Sequence, residues 1–276
     1  MIQSFDQLIY SLPAKSPKRC AVINPQSDYL LDCLSDAEKR GWITPVLYQD
    51  ESPEISAQKA VTDTAKGKND LIMKGDIDTA TLLKAVLDKS NNLRTNRILS
   101  HIAVVNSPQY SKLMLMTDGG IHPSLDKSTI ISMIENGLIL SHALGIHHPK
   151  VAMLSLVEKV TPKIPETVLA QELVNHFSTD SRMIIEGPMA LDVALSKDAA
   201  KAKGLQSEIA GQTDIFVGPS ITTTNFMVKA LMSIGQSKGG GIILGAKVPI
   251  ILLSRSDTPE TKLHSIALGL TLLKGN

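Results

Sequence analysis

Aromatic side chains are scarce, at 3% of 276 residues with a single Trp. The core of such a chain is aliphatic, built from Leu, Ile, Val, Ala and Met, and nucleic-acid readers that stack bases on aromatic platforms are disfavoured. Cysteine is scarcer still, with only Cys20 and Cys33. Two separated thiols without a CxxC pair make no disulfide framework and fit a reducing compartment. An excess of one charge is also missing. Lys and Arg number 28 against 27 Asp and Glu, a net charge of +1, so neither a nucleic acid nor a membrane surface is an expected partner. The opening MIQSFDQLIYSLPAKS has no long apolar run and carries an acid early. It reads as neither a signal peptide nor a membrane span, and the expected location is cytoplasmic.

Several motifs are missing as well. There is no Walker lysine, no fixed-period repeat and no low-complexity linker. The glycines of KGGGIILG (238–245) are expected to precede a strand, whereas a dinucleotide fingerprint follows one and opens a helix. His147-His148-Pro149 lacks partners at metal-ligand spacing and reads as a surface turn. His101 and His264 are isolated, and a structural role is expected for each.

What is present is ordinary globular composition, 43% hydrophobic and 20% charged, in a chain long enough for two modest domains. Ten apolar runs of strand length begin at Cys20, Ile43, Asp70, Ile102, Leu113, Val151, Met183, Asp214, Gly241 and Val248. Helical patterns lie between most of them. In the last, Leu263, Ile266, Ala267, Leu270 and Leu273 recur at three and four residues and form one buried face. This alternation predicts an α/β protein with a largely parallel sheet covered on both faces.

Ligands of open α/β sheets bind beyond the carboxyl ends of the strands. Lys74-Gly75, Ser107, Thr117 to Gly120, Glu186 to Pro188, Gly218 to Ser220 and Ser254-Arg255 all follow apolar runs. Turns use such small and polar residues anyway, but Lys74 and Arg255 are charges abutting buried strands. The elbow Ser254-Arg255-Ser256-Asp257 places a hydroxyl, a guanidinium and a carboxylate at one strand end. Asp257 or Thr258 as N-cap, followed by Pro259 and Glu260, also marks a helix start; capping and chemistry are compatible readings of Asp257. Lys74, Thr79, Lys84, Arg94 and Arg97 fall within one short segment, where hydroxyls at a helix start and nearby cations suit an anion.

The stretches MKGDIDTATLL, LRTNRILSHIAV, EGPMALDVALS, SEIAGQTDIFVGPSITTTN and VPIILLSRSDTPETKLHSIAL, in order over nearly the whole chain, resemble the phosphate acetyl/butyryltransferase family, most closely its butyryl branch. The GP-x-x-x-D and SR-x-D stretches are the most specific. The resemblance implies two three-layer α/β/α domains with a cleft between them, similar to isocitrate and isopropylmalate dehydrogenases, usually dimeric. It implies a split first domain (1–108 and 244–276) and a second, dimer-forming one (109–243). The implied activity moves a short or branched acyl group between coenzyme A and inorganic phosphate, with no bound cofactor or metal and with coupling to an acyl-phosphate kinase. Ser254, Arg255 and Asp257 are then catalytic. Lys74, Thr79, Lys84, Arg94 and Arg97 bind phosphate. Gly187, Pro188, Asp192, Pro219, Asn225 and Gly245 line the CoA/acyl cleft.

This chain departs from the family pattern in four places. It is short between Trp42 and Asp70. It carries Lys84 where butyryl-type relatives carry Arg, a point charge in place of a planar fork. Thr261 stands where the acetyl branch has its carboxylate base, leaving Asp257 as the nearest candidate. Thr222 to Thr224 stand where relatives show an acid and a glycine. Three other readings stay open: acetyl preference, an NAD- and metal-dependent hydroxyacid dehydrogenase, and a catalytically silent binding protein of the same fold.

Overall fold

The computed structural model describes residues 1–276 except 14, 15, 253, 255, 256, 275 and 276. In chain order its elements begin with α1 (Phe5–Tyr10), β1 (Lys18–Ile23), α2 (Asp28–Lys39), β2 (Ile43–Tyr48), α3 (Pro53–Ala65), β3 (Leu71–Lys74) and α4 (Thr79–Leu87). They continue with β4 (Ser100–Asn106), β5 (Leu113–Thr117), α5 (Lys127–Ala143), β6 (Lys150–Leu154), α6 (Pro165–His176), β7 (Ile184–Met189), α7 (Leu191–Leu195) and α8 (Lys197–Ala202). The last are β8 (Ile215–Val217), α9 (Ile221–Ser233), β9 (Lys238–Leu244), β10 (Ile250–Ile251) and α10 (Pro259–Leu272). Each of the ten apolar runs read from the sequence contributes a strand.

The chain divides into two compact units, one of residues 5–99 and 239–276 and the other of residues 1–4 and 100–238. In the first, the strands lie in the order β2-β1-β3-β10-β9. All neighbours are parallel except β10 and β9. The register aligns Ile23 with both Tyr48 and Lys74, so three carboxyl ends finish together. Strand β3 and the last four residues of β1 are buried, which explains their unbroken apolar runs.

Helix α10 covers this sheet with Ile266, Ala267 and Leu268, all fully buried. Its close approach has a cause in β9. Gly239 to Gly241 lie within that strand rather than ahead of it, as the sequence suggested. A Cβ on Gly240 would sit 3.1 Å from Leu268 and 3.2 Å from His264; the glycines let helix and strand backbones come together.

In the second unit the order is β4-β5-β8-β6-β7, with β4 antiparallel to β5 and the rest parallel. Strand β4 is held there by a ladder running from Ile102 opposite Thr117 to Asn106 opposite Leu113. Its core gathers Val105, Met114, Met116, Ala152, Leu154 and Val193 with the aromatics Tyr110 and Phe216.

Candidate active site

Within the first unit, a cavity of about 370 Å³ opens beyond the carboxyl ends of β3 and β10. Lys74, Gly75 and Asp76 line it from the loop after β3, Ser27, Tyr29 and Leu30 from the start of α2, and Ser254, Asp257, Thr258, Pro259 and Lys262 from the elbow and the start of α10. Helices α2 and α10 both begin here, and the partial positive charge of a helix N-terminus favours anions.

Lys74 ends β3 and is only 5% exposed. Its ammonium donates to the carbonyl of Gly75 at 3.3 Å. Gly75 is required by close approach, because a Cβ there would run into the Ile23 carbonyl, and the Gly75 N–H donates to that same oxygen at 3.0 Å. The chain thus turns sharply at the strand end and leaves Lys74 on the cavity wall. The next carboxylate, Asp76, accepts from the backbone N–H of Gln26 at 2.7 Å and of Ser27 at 2.9 Å. Burial pushes the Asp76 carboxyl up, but these bonds and the nearby Lys74 charge outweigh it and hold it below the usual carboxylate range.

At the elbow, the Ser254 N–H donates to the Asp257 carboxylate at 2.7 Å, and the Asp257 N–H returns to the Ser254 carbonyl at 3.1 Å. Asp257 is therefore not the helix cap. Thr258 is the N-cap, its hydroxyl accepting from the Thr261 N–H at 3.2 Å. Thr261, at the acetyl-branch base position, is buried and faces the Thr258 hydroxyl at 3.0 Å. Arg255 lies outside the described residues. The structure so brings Lys74, Ser254 and Asp257 to one cavity.

The other expected phosphate ligands are placed elsewhere. Thr79 opens α4, behind its N-cap Asp78. Lys84 is exposed and lines a different cavity of about 470 Å³ with Glu54, Gln58 and Asp88. Arg94 is exposed and bridges to Ala246, while the Thr95 hydroxyl donates to the Gly245 carbonyl at 2.6 Å and caps the Arg97 N–H at 3.1 Å. Gly245 has φ +105°, and a Cβ there would collide with the Ile98 carbonyl. Arg94, Arg97 and Gly245 therefore form one tied loop pair.

In the second unit, Gly187 and Pro188 line a cavity of about 300 Å³ with Glu186, Met189 and Ser207. Asp192 is engaged by Lys203 at 2.9 Å, which also pairs with Glu158 at 2.7 Å. Asn225 donates to the Gly119 carbonyl at 2.8 Å, holding the turn after β5. Pro219 precedes Ser220, the N-cap of α9.

Sequence reasoning passed over Lys262. This lysine is 6% exposed, lines the cavity and donates to the Asp257 carbonyl. A signal existed: Lys262 stands four residues before Ile266, on the buried stripe of the last helix. His264 is 1% exposed, stacks on Phe5 at 3.9 Å and bonds the Gly239 carbonyl at 3.0 Å, a packing role. Among the described residues no three His, Cys, Asp or Glu side chains form a metal-ligand set, and no helix is long and apolar enough to cross a membrane.

Residues 26–270 match the family model described as phosphate acetyl/butaryl transferase. Over its whole length and that of the relative, the chain is 36% identical to a phosphate butyryltransferase of Clostridium acetobutylicum. It is 34% identical to a phosphate acetyltransferase of Thermotoga maritima, covering 91% of this chain and 94% of that one. Among solved structures, a branched-chain phosphotransacylase from Enterococcus faecalis V583 superposes with a TM-score of 0.85 at 33% identity, covering 93% of this chain and 99% of that one.

Proposed function

The chain belongs to the phosphate acetyl/butyryltransferase family, and from that premise we propose that it exchanges a butyryl-like, short or branched acyl group between coenzyme A and inorganic phosphate. The observation that carries this reading is the cavity at the ends of β3 and β10, which gathers Lys74, Ser254 and Asp257 at the starts of two helices. Two anionic substrates must meet in such a reaction, so a site with cations and fixed donors is what the chemistry requires.

In the forward direction a phosphate oxygen attacks the thioester carbon. A C–O bond forms and the carbonyl π pair moves to oxygen. Collapse restores the carbonyl, breaks the C–S bond and releases coenzyme A as a thiolate, which is protonated. In reverse, the thiol gives up that proton and the phosphate leaves. Positioning phosphate against the thioester carbon supplies much of the rate. The Ser254 hydroxyl and Arg255 are assigned to the developing oxyanion, where preorganised donors act most strongly. Asp257 is assigned to the thiol proton. Lys74, with Thr79, Lys84, Arg94 and Arg97 as further candidates, is assigned to phosphate. Gly187, Pro188, Asp192, Pro219, Asn225 and Gly245 are assigned to acyl-CoA.

The product is a mixed anhydride, and a kinase that passes its phosphoryl group to a nucleotide is the reaction class that consumes it. A cytoplasmic homodimer completes the proposal, the dimer being checked by light scattering after gel filtration.

The test is free-thiol release from acetyl-, butyryl- and isobutyryl-CoA with phosphate, alongside a separate assay of NAD reduction. Butyryl- or isobutyryl-CoA is expected to give the highest kcat/KM. A higher value for acetyl-CoA would move the chain to the acetyl reading. NAD reduction without thiol release, or neither activity, would overturn the transfer reading.

A further inference from the structure

We propose that Lys262 is a phosphate ligand of the elbow cavity, supplying a second buried cation beside Lys74; this rests on the acyl-transfer reading above. The residue is 6% exposed and lines the cavity, and its ammonium reaches the Asp257 carbonyl on the same wall. Among the described residues its hydrogen-bond acceptor is the backbone carbonyl of Asp257, and no carboxylate is paired with it. The two carboxylates that line the cavity are occupied by backbone amides, Asp76 by those of Gln26 and Ser27 and Asp257 by that of Ser254. On the facing helix, burial keeps the Cys33 thiol neutral, and it feels the Lys262 charge.

A buried ammonium resting on a carbonyl carries a large desolvation cost. An arriving anion offsets that cost, which a carboxylate partner would already have cancelled. The position of the charge selects among anions. It lies against Asp257, three residues from Ser254, where the thioester carbonyl is assigned. The attacking phosphate must sit about 3–3.5 Å from that carbon. The phosphates of coenzyme A lie at the far end of a long arm from its sulfur. The charge thus serves the reacting phosphate rather than the carrier.

The test compares wild type with Lys262→Gln, which keeps a donor toward the Asp257 carbonyl but removes the charge, and with Lys262→Arg, which keeps both. Two readouts are used: the rise in Tm on adding inorganic phosphate or coenzyme A, each at constant ionic strength, and the KM values for both substrates. In Lys262→Gln the phosphate KM is expected to rise about tenfold or more, the loss of one charge-assisted bond. Its phosphate-induced Tm shift should vanish while the coenzyme A shift persists, and Lys262→Arg should recover most of the phosphate response.

An unchanged phosphate shift in Lys262→Gln overturns the proposal, and so does loss of the coenzyme A response with phosphate binding intact. A purely structural staple would lower Tm without moving the phosphate KM, which also overturns it. If Lys262→Gln does not fold, reductive methylation of wild type decides. Phosphate slowing modification of Lys262 supports the assignment, and no protection refutes it. The Tm response to phosphate needs no turnover, so failure of the acyl-transfer reading shows separately, as absent thiol release with phosphate binding intact.

Discussion

At the scale of single residues, the elbow separates two roles that the sequence left joined. Thr258 caps α10, so Asp257 is released from capping and holds the Ser254 N–H instead. Asp257→Asn keeps an acceptor for that N–H but removes the base. Its kcat for thiol-dependent turnover is expected to fall about 100-fold, the scale of losing one well-placed acid–base group, with Tm within a degree or so of wild type. Near-wild-type kcat would remove Asp257 from the chemistry. The two thiols make a different prediction. Burial pushes the Cys33 thiol up to about 11 and Cys20 further, so the folded protein should react slowly with a thiol-disulfide reagent at pH 8 and rapidly in urea. Above the ordinary thiol range the unfolded chain loses the Cys33 proton while the folded one keeps it. Stability should therefore decline as pH rises from about 9 toward 11. Asp76 has the opposite sign. Its folded carboxyl titrates below the unfolded value, so its contribution is present above that value and lost as pH falls through the lowered one. Urea titrations at descending pH should show a flatter acid limb for Asp76→Asn than for wild type.

At the scale of elements, the cavity exists because a strand end, a tight turn and two helix starts coincide. Gly75 is the hinge of that construction. Gly75→Ala drives a methyl group into the Ile23 carbonyl, and overpacking of this kind costs about 1–3 kcal/mol. Because the displaced backbone carries Lys74, the variant should lose both stability in urea and affinity for phosphate. Unchanged values of both would mean that the turn relaxes freely. Thr258→Ala tests the other wall. Removing a Thr cap costs about 1 kcal/mol, measured by denaturant midpoint, and activity should survive if the cap only holds the helix.

At the scale of the whole molecule, the candidate phosphate ligands are spread over one unit rather than gathered at one point. Lys74 lines the elbow cavity, Lys84 lines another, and Arg94 and Arg97 sit on the loop tied to Gly245. Neutralising each in turn by kinetics ranks them. Lys84→Gln decides whether this candidate belongs to the site: a phosphate KM within about twofold marks a solvated charge on a separate cavity and removes Lys84 from the assignment. Loss of phosphate affinity in Lys84→Gln would show that this cavity joins the site during turnover.

Much was legible in the chain itself. Interior strands such as β3, β5 and β8 were readable because burial on both faces leaves unbroken apolar runs. Lys74 and Ser254 were legible because polar residues directly after such runs stand at strand ends, where these folds bind ligands. Other features depended on contacts distant in sequence. The Gly239 to Gly241 run was placed ahead of the strand because glycine inside a strand is explained only by the helix packed against it, here α10. Lys262 was passed over because its place on the cavity wall depends on α2 and the elbow packing beside α10. Asp257 looked like a cap because both candidate acceptors were adjacent in sequence, and backbone geometry alone assigned that bond to Thr258. Local pattern determined which segments are strands and helices; which side chains share a cavity was decided only when those segments packed, because that depends on strand order and register.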